Sequence, residues 1–152
     1  MQSRMKHPAL VVPGAMEALQ TLAKVSANGS VPEVTHALVH LRASQINGCS
    51  VCVELHARDL QRLGVEDRRI FAVGAWRESP RFNDAERAAL ALAEAVTRLS
   101  DRPDPVPDEI WDEARRQYDD EALASLLLSI ASINVWNRLN AATRQIAAEW
   151  GG

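Results

Sequence analysis

Both cysteines of the chain and one of its four histidines fall within eight residues, as Cys49-Ser50-Val51-Cys52 followed by His56. Two thiols at this spacing can close a small disulfide, and an imidazole four residues beyond the second thiol can move protons for it. The chemistry this suggests is thiol redox. If a helix begins at Cys49, then Cys52 and His56 share one of its faces. Successive i, i+3 positions in a regular helix keep their Cβ atoms roughly 5–6 Å apart, whereas a disulfide needs about 3.5–4.5 Å. The bond therefore fits best at the first turn, with Cys49 in a non-helical cap geometry that Asn47-Gly48 makes accessible. Cys49 would lie nearest the positive end of the helix dipole, which favours a thiolate. Cys52 would have His56 one turn on. These features leave open which sulfur attacks first.

A lone CxxC also fits other roles. Both cysteines could be inert core residues, and His56 an ordinary half-buried histidine. The pair could bind zinc with His56 and His40, although no second CxxC or spaced histidine pair completes a usual zinc set. It could also be a redox sensor without turnover.

The elements that must position these residues read as helices. Apolar spacing of helical period recurs along the chain, and strand-like alternation does not. Helices are expected at Met16 to Ala27 and at Pro32 to Ile46. The second is introduced by a capping box at Ser30-Val31-Pro32-Glu33 and buries Val34, Leu38, Leu41 and Gln45. Cys49 to Leu63 follows, stopped by Gly64, and then Asp67 to Glu78. Asn83-Asp84-Ala85-Glu86 caps a helix running through Leu90, Ala93 and Val96 to Leu99. Asp101 to Pro107 is a linker with three prolines. Pro107 to Tyr118 forms a short helix, and Asp120 to Trp150 a long one with a possible break. The expected architecture is an all-α, single-domain helical bundle over residues 1–152, with its core at about 30–150.

Length and composition agree with this reading. A chain of 152 residues, 47% hydrophobic with a net charge of −3, can bury a core without metal or disulfide staples. No basic stripe points to nucleic acid. The N-terminal segment Met1 to Pro13 lacks the apolar run of a signal peptide, and no membrane partner is expected. A cytoplasmic location follows, where paired cysteines are more often catalytic, sensory or metal-binding than structural. Trp76, Trp111, Trp136 and Trp150 are expected in core or subunit contacts. The row Asn134, Asn137, Asn140 on an apolar helix could line a cavity or seal a subunit contact; the simpler account is a solvated face with Arg138 and Arg144. Arg42 and Gln45 are candidates to hold the backbone of the CxxC turn. The apolar run Ala122 to Ile133 suggests a helix buried nearly all round, in the monomer or between subunits.

The run Leu38-Val39-His40-Leu41-Arg42-Ala43-Ser44-Gln45-Ile46-Asn47-Gly48-Cys49-Ser50-Val51-Cys52, then His56, resembles the carboxymuconolactone decarboxylase superfamily, in its alkylhydroperoxidase D (AhpD)-like branch. The likeness continues through Phe71 to Glu78, Asp84 to Leu90 and Ile133 to Asn140. The resemblance implies an all-α fold assembling as a homo-trimer or hexamer. It implies a peroxide substrate and a dithiol reductant of lipoyl type, with thiols that can also reduce a peroxiredoxin partner; no cofactor and no resident metal are expected. It makes Cys52 the peroxide-reactive sulfur, Cys49 the resolving one and His56 part of a proton relay. Two departures stand out. The family's glutamate twelve residues before the first cysteine is Ala37 here, and its histidine before the second cysteine is Val51. His40, three residues from Ala37, is the hypothesised replacement in preference to Glu33, because a neutral imidazole can accept a proton near pH 7; the alternative is that His40 is a polar residue packed at an interface. The superfamily's true decarboxylases do not depend on a CxxC pair, which argues against lactone decarboxylation.

Overall fold

A computed structural model describes residues 2–147; Trp150 lies outside the described residues. Helices form α1 (Pro8–Val11), α2 (Ala15–Ser26), α3 (Glu33–Asn47), α4 (Ser50–Arg62), α5 (Asp67–Ala72), α6 (Asp84–Thr97), α7 (Asp108–Gln117) and α8 (Asp120–Thr143). There is no strand among the described residues. Helix α3 is the central element and packs against α4, α6 and α8, while α2 lies on α8 and α7 on α6.

Two apolar clusters hold this arrangement. One joins Val39 of α3 to Ala89, Leu92 and Ala93 of α6 and to Leu126 and Ile130 of α8. The other joins Leu38 and Leu41 of α3 to Leu60 of α4, Trp76, Phe82 and Leu90. Burying each such leucine contributes roughly 1.5–3 kcal/mol. The two clusters lie on neighbouring sides of α3, which is why its apolar residues run consecutively through Ala37, Leu38 and Val39.

Local signals explain most helix ends. Asn83 forms the expected capping box with Glu86 at the start of α6. The box expected at Ser30 does not form. The Ser30 hydroxyl donates to Asn28 Oδ1 at 2.6 Å instead, and α3 starts after Pro32 with no side-chain cap. The helix expected over Asp67 to Glu78 is also interrupted. After α5 the chain tightens into a 3-10 segment, Val73–Glu78, with Ala75 off helical geometry at φ −126°, ψ 35°. Arg87 of α6 accounts for this, because its guanidinium donates to the carbonyls of Trp76, Arg77 and Ser79. Helix α6 ends at Thr97, and a short 3-10 turn, Leu99–Asp101, follows. Helix α8 stops at Thr143, where Arg144 takes a left-handed φ of 52°. Helix α1, absent from the sequence reading, is capped by His7, whose ring accepts from the Ala9 amide.

By length and composition α8 could cross a membrane, but 56% of its most apolar window is buried within the fold. It is not buried all round. Ala124, Leu128, Ala131 and Val135 form an exposed stripe along it.

Candidate active site

The CxxC turn is built by the junction of α3 and α4. Gly48 ends α3 at φ 65°, a left-handed conformation that glycine adopts without a Cβ penalty. Cys49 then adopts extended backbone as the N-cap of α4, and its sulfur accepts from the Cys52 amide at 3.3 Å. This is the cap geometry expected from the sequence. It brings the two Cα atoms to 5.4 Å, and the sulfurs are paired.

The turn is fastened from α8 by the asparagine row. Asn47 Nδ2 donates to Asn137 Oδ1 at 2.9 Å and to Asn134 Oδ1 at 3.0 Å. Asn137 Nδ2 donates to Ser44 Oγ at 3.0 Å, and Asn140 Nδ2 to Cys52 Sγ at 3.3 Å. All three asparagines are buried, so the solvated-face reading is overturned. Each amide has donors and acceptors that a buried turn needs and an aliphatic side chain lacks. Arg42 and Gln45 do not hold the turn's backbone as expected. Arg42 reaches Glu94 of α6 at 2.6 Å, and Gln45 Oε1 accepts from Arg42 at 3.4 Å. Glu94 also accepts from Trp76 Nε1 at 3.0 Å and from Arg77. Burial alone would raise its pKa, but these donors together hold the carboxyl below its usual value.

Cys52 opens onto a cavity of about 270 Å³ between α2, α4 and α8. Its walls are mostly apolar, with Val51, Leu55, Ile133 and Trp136 among them, and His40, His56 and Asn140 supply polar groups. Cys49 does not line it; it packs behind Cys52 with Ala43 and Ile133. Trp136 therefore belongs to the cavity wall, while Trp76 is core and Trp111 packs on the first apolar cluster.

The expected histidines meet at this cavity. The rings of His56 and His40 lie 4.8 Å apart, centre to centre. His56 Nδ1 is 3.2 Å from Asp59 Oδ2, and that contact leads the causes that hold the Asp59 carboxyl below its usual range. His40 Nε2 lies 2.7 Å from Ser129 Oγ, and His36 Nδ1 lies 2.9 Å from the same oxygen. Burial, then the neighbouring His56 and His36, keeps the His40 pKa well below the ordinary histidine value. Burial also lowers His36, opposed by the Glu33 carboxylate. Ala37 packs in the second apolar cluster and offers nothing to the site.

Three contributors escaped the sequence reading: Asp59, His36 and Ser129. The last two left a signal. Ser125, Ser129 and Ser132 interrupt an apolar helix at helical spacing, and His36 precedes His40 by one turn. Among the described residues no group of three or more His, Cys, Asp or Glu is arranged to hold a metal ion.

The profile of the carboxymuconolactone decarboxylase family matches residues 13–95. The chain is 34% identical to the uncharacterized protein YdfG of Bacillus subtilis (strain 168), over 91% of this chain and 92% of that one. Among solved structures, one is a protein of unknown function from Agrobacterium tumefaciens, provisionally described as the antioxidant defence protein AhpD. It superposes with a TM-score of 0.88 at 30% identity, covering 95% of this chain and 97% of that one. The debrominase Bmp8 superposes with a TM-score of 0.78 at 28% identity, over 88% of this chain and 71% of that one. A cysteine-to-alanine variant of Bmp8 was solved in complex with 2,3,4-tribromopyrrole. The all-helical fold is thus AhpD-like, and the chain belongs to the carboxymuconolactone decarboxylase family.

Proposed function

We propose that this protein is a thiol-disulfide oxidoreductase that reduces peroxides through Cys52 and Cys49. The observation that carries the reading is the cavity. Its apolar wall presents one sulfur, Cys52, beside two imidazoles, with the second sulfur directly behind at bonding distance. In the reduced protein the Cys52 thiolate attacks the terminal peroxide oxygen and the O–O bond breaks. The products are a Cys52 sulfenic acid and an alkoxide, which takes a proton from the imidazole pair and leaves as an alcohol. The Cys49 thiol then condenses with the sulfenic acid, forming the disulfide and releasing water. An external dithiol of lipoyl type reduces the disulfide and closes the cycle; the reduced pair can also pass its two electrons to the disulfide of a peroxiredoxin partner. A reducing cytoplasm would provide the dithiol.

Several groups support the chemistry. Asn140 Nδ2 stabilises negative charge on Cys52, and the α4 N-terminus does the same for the pair. His56, oriented by Asp59, and His40 handle protons. The assembly in this reading is a homo-trimer or hexamer. The exposed apolar stripe of Ala124, Leu128, Ala131 and Val135 is the face a second copy would cover.

A second reading is reductive dehalogenation. The apolar cavity and the likeness to debrominase Bmp8 favour it. There a carbon–bromine bond is replaced by carbon–hydrogen, bromide leaves, and the dithiol is oxidised to the disulfide.

Steady-state consumption of hydrogen peroxide and an organic hydroperoxide, with a dithiol reductant, tests the proposal on wild type, Cys49→Ser and Cys52→Ser. Turnover by wild type that both substitutions abolish supports it. Equal behaviour of all three rejects it. Thiol oxidation without turnover favours a redox sensor, stoichiometric zinc in the purified protein a metal site, and bromide release from a bromopyrrole the second reading.

A further inference from the structure

The hydrogen bonds behind His40 have a fixed direction. Ser125 Oγ lies within hydrogen-bonding distance of the Ser26 carbonyl, which can only accept, so the Ser125 hydroxyl spends its one hydrogen there. Toward His36 Nε2, 3.5 Å away, Ser125 Oγ can then only accept. A lone pair on His36 Nε2 would face the lone pairs of that oxygen inside a buried site, leaving an unsatisfied acceptor that costs about 1–3 kcal/mol. His36 is therefore protonated on Nε2, and its Nδ1 is an acceptor. The Ser129 hydroxyl donates to that Nδ1 at 2.9 Å, so its oxygen accepts from His40 Nε2–H at 2.7 Å.

We infer that Ser125, His36 and Ser129 are positioning residues that lock His40 in the Nε2–H form and leave Nδ1 as its proton acceptor. This rests on the relay reading of the preceding section and deepens it. Ala37 carries no group that could take a proton, and the string makes His40 the directed base on α3. The string starts from a main-chain carbonyl of α2, passes through α8, α3 and α8 again, and ends at the His40 ring, which lies tilted beside His56.

The other titratable groups near His40 are His56 and, behind it, Asp59 on α4, and His36 and Glu33 on α3. Helix α8 faces it with Ser129, which carries no charge. Glu54 and Arg58, paired with each other on α4, line the same cavity.

Nitrogen-15 NMR of histidine-labelled protein reads the tautomers directly, with His36→Gln and His40→Gln assigning the signals. His36 and His40 of the wild type should both carry their proton on Nε2 near neutral pH, reduced or oxidised. A His40 proton on Nδ1 would overturn the inference, whether or not the protein turns over peroxide. Ser125→Ala should mix the tautomers. With equal mixing it should slow alkylation of Cys52 by a neutral reagent about twofold, in proportion to the competent fraction lost. Ser129→Ala should slow it about tenfold, as expected for one buried hydrogen bond, and should shift the acid limb of the pH profile. Ser125→Thr, which keeps the hydroxyl, should restore the wild-type tautomers. Unchanged tautomers and pH profiles in both alanine variants would show that the string packs the core without directing His40.

Discussion

Asn140→Leu tests the electrostatics around Cys52 with little disturbance elsewhere. Asn140 Nδ2 donates to Cys52 Sγ at 3.3 Å, and Asn140 Oδ1 is buried with no hydrogen-bond partner among the described residues. Leucine keeps the same branched skeleton and is bulkier, but the extra bulk can extend into the cavity that Asn140 lines, and it removes the orphaned oxygen together with the donor. The fold should therefore tolerate the change, while the reduced protein loses a hydrogen bond to a thiolate. Bonds to charged groups contribute about 1.5–3 kcal/mol. At about 1.4 kcal/mol per pKa unit, the Cys52 thiol should rise by roughly one to two units. At any pH below the wild-type Cys52 pKa, the thiolate fraction would fall roughly tenfold to a hundredfold. The more basic thiolate is the better nucleophile, with a Brønsted coefficient of about 0.4–0.5, so the net loss of rate should be roughly threefold to tenfold. The assay is the pH dependence of alkylation of reduced Cys49→Ser, with and without Asn140→Leu, alongside thiolate absorbance. A Cys52 pKa that moves by no more than a few tenths of a unit would refute the reasoning.

Other outcomes follow from the same geometry. Glu94→Ala would strand Arg42 and the Trp76 indole in the core. Breaking such a buried pair costs about 3–5 kcal/mol, which calorimetry should read as a fall in Tm of roughly 10 °C for a domain of this size. Acid should destabilise the fold through His40. Its folded pKa lies well below its unfolded value, so its contribution is whole above about 6.5 and is lost as the unfolded chain takes up the proton on acidification. Urea titrations should show His40→Gln relieving that loss, which is at most about 1.4 kcal/mol per pH unit. Leu128→Glu should reduce the assembled mass in light scattering while leaving helicity unchanged, because Leu128 is exposed on the α8 stripe. An unaltered mass would remove that face from the assembly.

Signals that act within a few residues were legible in the sequence. Asn83 and Glu86 cap α6 as their spacing requires, Gly48 breaks α3, and Cys49 takes the cap geometry that a three-residue disulfide demands. The meeting of Cys52, His56 and His40 was legible for the same reason, since two of the three share α4 and the third lies two turns before the junction. Signals that depend on a distant partner were not legible. Asn134, Asn137 and Asn140 fit a wet face as well as a cavity lining, and the choice between the two is made only by Asn47, Ser44 and Cys52 opposite them. The tightened segment after α5 depends on Arg87, a residue on the following helix. Ser129 is one small polar residue on an apolar helix, and only the approach of α3 gives it two imidazoles to bridge. Local capping fixes where helices start and stop; which polar residues are buried is decided by which helices meet.

The proposed cycle begins with Cys52 as the sulfur that meets the peroxide. The most direct measurement treats reduced Cys49→Ser with one equivalent of an organic hydroperoxide, traps sulfenic acid with dimedone and locates the adduct by mass spectrometry. One adduct is expected on Cys52, and none at position 49 when Cys52→Ser is treated alike. An adduct on Cys49 in Cys52→Ser, with none on Cys52 in Cys49→Ser, would contradict the cycle.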